Sequence, residues 1–139
     1  AGTGDRLPRE KCGLMGERSI LVCDDEVEIA EELSEFFASN GWRVRRCHDA
    51  SAAKRLLLEG PRPLVLLTDL RLDEVDGAAL VAFSNGLPRY KRPMLHAIMT
   101  GHVGESTTPT DLGSDALYRK PVDPIALLDD LESRLASGA

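Results

Sequence analysis

The feature that most restricts the fold is an alternation of two patterns. Short, almost wholly apolar runs are each followed by a segment with helical spacing. The runs ILVC (20–23), LVLLT (64–68) and PMLHAIMT (93–100) are apolar on successive residues rather than on alternate ones. Strands of that kind are covered on both faces, which is the condition of a parallel sheet between helical layers. WRVRRC (42–47) alternates instead and reads as a half-buried edge strand. ALYR (116–119) is a weak fifth strand.

The intervening segments have helical signatures. Val27, Ala30, Leu33 and Phe37 repeat at helical spacing, with Glu28, Glu31, Glu32 and Glu35 mostly on the other face, and Asn40-Gly41 ends the segment. DASAAKRLLLEG (49–60) has Asp49 or Ser51 as cap and Gly60 as stop. GAALVAFSNG (77–86) is a short helix. DPIALLDDLESRLAS (123–137) has Asp123 as cap, Pro124 at its first position, and a stripe of Ile125, Leu128, Leu131 and Leu135. Strands joined through helices pair in parallel. The expected fold is an α/β, doubly wound, five-stranded parallel sheet with helices on both faces. Residues 1–18 mix Gly, Pro and charge without a period and are expected to form a flexible tail or linker, leaving 19–139 as one domain.

In such a fold, ligands sit beyond the carboxyl ends of the strands. Those ends carry a defined set: Asp24-Asp25 after the first strand, Asp69 after the third, Thr100 after the fourth and Lys120-Pro121 after the fifth. Three convergent carboxylates repel one another and raise each other's proton affinity. A divalent cation removes that conflict, and Mg²⁺ suits a few carboxylate oxygens plus waters and a phosphoryl oxygen. Asp69 is then placed to act as a carboxylate nucleophile toward phosphorus, with Mg²⁺ and Lys120 neutralising charge and the Thr100 hydroxyl donating to a phosphoryl oxygen.

Taken alone, each element has a plainer explanation, from turn chemistry to helix capping. In this order on successive strands they form a specific signature. The motifs ILVCDDE (20–26), TDLRLDEVDG (68–77), MTG (99–101) and YRKP (118–121) give the chain, from about Ser19 to Leu135, a resemblance to the receiver domain of bacterial two-component response regulators. The resemblance implies that Asp69 is the phosphoacceptor and that Asp24 and Asp25 are the acidic pair holding Mg²⁺. It further implies that Arg71 lends its backbone carbonyl to the metal, that Thr100 is the switch hydroxyl, and that Lys120 binds the phosphoryl group. It also implies a cis Lys120–Pro121 peptide, with a histidine kinase or histidine phosphotransfer protein as donor. Such a protein is a phosphorylation-dependent signalling switch and not an enzyme beyond slow self-dephosphorylation.

The chain departs from the family pattern in three places. Asp73 stands where a proline is usual. Leu117 occupies the position of the switch aromatic, and Tyr118, one residue later, points to the opposite sheet face by strand alternation. His102, two residues past Thr100, is one substitute for that aromatic. The segment GHVGESTTPTDLGSD (101–115) is a poor helix former, so the helix expected between the fourth and fifth strands is short, irregular or mobile. This resembles a subset of receivers with a reduced fourth helix. Arg71 and His102 flank the site and are candidates for setting the lifetime of a phosphorylated state.

Composition narrows the alternatives. A net charge of −6 argues against a general nucleic-acid or membrane-surface binder, and no apolar run approaches the roughly 18 residues of a membrane span. The three cysteines, Cys12, Cys23 and Cys47, lack metal-ligand spacing, and reduced buried thiols imply a cytoplasmic protein. No DNA-binding segment follows Leu135, so the expectation is a stand-alone receiver or a receiver fragment of a hybrid histidine kinase. Two other readings compete. An aspartyl-phosphate hydrolase of the haloacid-dehalogenase type wants an acid two residues after the nucleophile, where this chain has Arg71. A phosphorylation-independent interaction module would have no need of the complete site set.

Overall fold

The structure is a computed structural model and describes residues 18–72, 76–101 and 108–137. Five strands, β1 (Ser19–Cys23), β2 (Arg43–Cys47), β3 (Val65–Asp69), β4 (Leu95–Thr100) and β5 (Ala116–Arg119), form one parallel sheet in the order β2-β1-β3-β4-β5. Among the described residues, three α-helices lie between strands, α1 (Val27–Ser39), α2 (Ala50–Glu59) and α3 (Gly77–Asn85), and a fourth, α4 (Pro124–Ala136), follows β5. The chain runs outward from β1 to β2, then crosses back past β1 to β3. That reversal leaves a crevice over the carboxyl ends of β1 and β3.

Strand alternation divides the core into two layers. Ile20, Val22, Val65, Leu67 and Met99 pack against Phe37 of α1 and Leu127, Leu131 and Leu135 of α4. Leu21, Cys23 and Leu66 face the other way, onto Leu57 of α2 and Leu80 of α3. β1, β3 and β4 are thus closed on both sides, as their unbroken apolar runs predict. β2 is an edge strand with exposed Arg43 and Arg46.

Two of the expected caps act as read. The Asp49 side chain accepts from Ala52 N at 2.7 Å, and Asp123 accepts from Ile125 N at 3.1 Å with Pro124 in the first turn. The cap of α3 lies one residue upstream of the segment read as helical: Asp76 accepts from Ala79 N at 2.9 Å. Between β4 and β5 the described residues hold a single 3₁₀ turn, Thr110–Leu112; residues 102–107 of the stretch where a short or irregular helix is expected lie outside the described residues. The tail and the Asp73 and His102 positions lie outside the described residues. Among those described, no helix is long and apolar enough to cross a membrane.

Candidate functional site

Sheet register brings the strand-end residues together. Cys23 pairs with Thr68, so Asp24 and Asp69 leave adjacent strands side by side. Asp69 pairs with Met99, and Thr100 pairs with Arg119, the residue before Lys120. Backbone bonds tie the tips together: Asp24 N donates to Cys47 O (3.1 Å), Leu70 N to Met99 O (2.7 Å) and Lys120 N to Thr100 O (2.9 Å).

The floor of the crevice is buried. Asp24, Asp69 and Thr100 are enclosed, while Asp25 is half-buried on the rim. Asp24, Asp25 and Asp69 each offer a carboxylate oxygen, and these atoms all lie within 4.8 Å of one another. Such a hard, oxygen-only donor set suits a divalent cation that keeps waters in its remaining positions. Lys120 inserts its ammonium into the same cluster, 2.9 Å from Asp24 Oδ2 and 3.3 Å from Asp69 Oδ2. The Lys120–Pro121 peptide is cis, as the resemblance implies.

The electrostatics follow from this crowding. Burial pushes the Asp69 carboxyl above its ordinary value, and the Asp24 charge adds to the effect. Lys120 and a backbone hydrogen bond from Arg71 oppose it. Burial alone would lower the Lys120 ammonium, but hydrogen bonds to Asp24 and Glu26 outweigh it and hold the lysine firmly protonated. Asp69 is thus a buried carboxylate pushed toward its neutral form beside a fixed cation.

The loop after β3 is fixed by close backbone approach. Arg71 forms an isolated antiparallel bridge with Asp76, and Gly77 N donates to Leu70 O at 2.6 Å. A Cβ on Gly77 would collide with the Asp69 carbonyl oxygen, so the first turn of α3 rests directly on the Asp69 backbone. Only glycine permits that approach.

Two residues gain contacts that sequence reasoning did not assign. Glu26 lies just beyond the acidic pair, and its Oε1 is 3.0 Å from Lys120 Nζ. Its position directly after Asp24-Asp25 was the available signal. Tyr118 points away from the crevice, as alternation predicts. Its hydroxyl donates to Asp130 Oδ2 of α4 at 2.5 Å, and Arg134 Nε binds the same oxygen at 2.7 Å. Burial, together with the hydrogen bond to Asp130, pushes the Tyr118 phenol upward.

The model of the response regulator receiver domain matches residues 20–132. The chain belongs to that family. As a receiver it is 32% identical over 123 residues to the two-component response regulator PprB of Pseudomonas aeruginosa, covering 84% of this chain and 44% of PprB. It is 28% identical over 119 residues to the transcriptional regulatory protein GltR of the same species, covering 85% of this chain and 49% of GltR. The receiver thus spans about half the length of these relatives. A third relative, an uncharacterized 14.6 kDa protein of Leptolyngbya boryana, is 31% identical over 117 residues, which is 82% of this chain and 87% of that protein.

The fold is shared with solved receiver domains. The CheY-like receiver domain protein from Methanospirillum hungatei superposes with a TM-score of 0.78 at 22% identity, over 88% of this chain and 96% of that one. Chemotaxis response regulator CheY4 of Vibrio cholerae gives 0.73 at 22% identity, over 86% and 98%.

Proposed function

We propose that this receiver is a phosphorylation-dependent switch in which Asp69 takes a phosphoryl group from a phosphohistidine. The observation that carries the reading is the Lys120 ammonium seated between Asp24 and Asp69, within a three-carboxylate cluster that fits a divalent cation. An Asp69 carboxylate oxygen attacks phosphorus, the phosphorus–nitrogen bond breaks, and the imidazole leaves with the bonding pair and takes a proton. Bound Mg²⁺ would supply charge neutralisation; Asp24, Asp25, Asp69 and the Arg71 carbonyl are the residues to hold it. Lys120 pairs with the phosphoryl charge and Thr100 donates a hydrogen bond to it. Histidine kinases or histidine phosphotransfer proteins are the donors. The buried free thiols Cys23 and Cys47 support a reducing, cytoplasmic setting.

Tyr118, committed to Asp130 and Arg134, takes no part in coupling Thr100 to the surface. The test is intact mass after incubation with Mg²⁺ and acetyl phosphate. One phosphoryl group should be gained, dependent on Mg²⁺ and absent in Asp69→Asn. If neither acetyl phosphate nor a histidine-phosphorylated donor protein adds the group, the switch reading falls.

A further inference from the structure

Among the described residues Lys120 has three carboxylate partners, and they are not equivalent. Asp24 and Asp69 belong to the cluster whose oxygens converge within 4.8 Å, together with Asp25; Glu26 does not. A cation held by the cluster competes with Lys120 for Asp24 and Asp69, but leaves the charge of Glu26 untouched. Glu26 also sits on the solvent side, with its side chain 61% exposed, whereas the Lys120 side chain is 15% exposed. Its backbone is fixed independently of that contact. Glu26 N donates to Asp24 Oδ1 at 2.9 Å, and Glu26 O accepts from Ile29 N and Ala30 N at the start of α1. The side chain makes no capping bond to the helix and reaches across the rim to Lys120 instead.

We propose that Glu26 is a positioning residue that holds the Lys120 ammonium at the rim and must release it before the lysine can serve an incoming phosphoryl group. The inference rests on the phosphoacceptor reading above and concerns regulation of the same site. Glu26 acts in two ways. It competes with the phosphoryl oxygens for one ammonium, and its charge at the mouth of the crevice repels small anionic donors. Both effects oppose spontaneous phosphorylation by free acyl phosphates. A docked protein donor places its phosphoryl group against Lys120 by binding elsewhere on the surface, and so meets less of this barrier.

Glu26→Gln keeps the shape and removes the charge. Initial rates of phosphorylation of Asp69 by acetyl phosphate, measured by intact mass across donor concentrations with saturating Mg²⁺, should rise about threefold or more in this variant. Added salt should accelerate the native protein more than the variant, because it screens a charge that only the native protein carries. Glu26→Asp restores the charge and should return the rate part-way toward native. The second readout needs no phosphorylation. The Lys120 ammonium protons, observed by ¹H–¹⁵N NMR in the Mg²⁺-loaded protein, should be protected from exchange in the native chain and lose that protection in Glu26→Gln.

An unchanged or slower rate in Glu26→Gln overturns the inference, as does a Lys120 signal equally protected in both proteins. If the native chain takes no phosphoryl group from any donor, the phosphoacceptor reading fails, and the NMR comparison still decides whether Glu26 holds Lys120.

Discussion

Replacing Asp69 by Asn should make the metal-free protein more stable, although it removes the proposed acceptor. The Asp69 carboxylate lies within 4.8 Å of those of Asp24 and Asp25. At that separation, and with an effective dielectric of about 20, each repulsion is worth about 3.5 kcal/mol. Asp25 is half-buried and better screened, so its share is smaller. Lys120, 3.3 Å away, returns about 5 kcal/mol on the same scale. The charge terms therefore nearly cancel, and the burial of Asp69, 7% exposed, tips the balance against the ionised form. That is the direction in which its proton affinity is shifted. Asparagine removes the charge and leaves Lys120 paired with Asp24 and Glu26. The expected gain is about 1–2 kcal/mol, or roughly 3–6 °C in Tm for a chain of this size.

The pH dependence gives a sharper test. A carboxylate whose folded-state pKa is raised above the unfolded value gives a stability contribution that is greatest below the unfolded value. That contribution is lost as pH rises through the folded one. The advantage of Asp69→Asn should therefore be full at pH 7, shrink as pH falls through the raised Asp69 value, and vanish near the ordinary 3.8. Urea unfolding with EDTA at a series of pH values measures it directly. Mg²⁺ should stabilise the native protein more than the variant and narrow the gap at pH 7. An Asn variant less stable than native at pH 7 would refute the reasoning, and so would a gap that widens as pH falls.

Two further substitutions probe the supports of the site. Gly77→Ala forces a methyl group onto the Asp69 carbonyl oxygen and should cost about 1–3 kcal/mol in urea unfolding while slowing phosphorylation of Asp69. Tyr118→Phe removes the donor to Asp130 and should cost about 1 kcal/mol with no change in phosphorylation rate, since the hydroxyl faces α4 and not the crevice. A large rate effect in Tyr118→Phe would show that the α4 side is coupled to the acceptor after all.

The fold was legible because its strands and helices carry strong local signals. ILVC and LVLLT could be buried on both faces only in a layered parallel sheet, and Asp49, Gly60, Asp123 and Pro124 mark helix ends through chemistry that acts within a few residues. The weak strand ALYR was legible for a different reason. Its short apolar-aromatic run sits between the segment after β4 and the final helix, and in the structure it pairs along the edge of β4, Ala97 with Ala116 and Met99 with Tyr118. For the segment between β4 and β5 the expectation of a short or irregular helix rests on its glycine, proline and hydroxyl residues, which give a helix little backbone support.

By itself, the sequence determined which residues end the strands and which way side chains alternate. Asp24, Asp25, Asp69, Thr100 and Lys120 could be placed at one edge of the sheet, and Tyr118 on the face away from it, because both follow from periodicity and topology. Tertiary structure alone decided how those groups share charge. Glu26 reaches Lys120 across a separation of 94 residues, Tyr118 finds Asp130 on a helix packed behind it, and Gly77 lies against the Asp69 backbone. Each of these depends on ångström-scale distances between segments remote in sequence. Electrostatic and steric energies change steeply over such distances, while local propensity and hydrophobic pattern are blind to them.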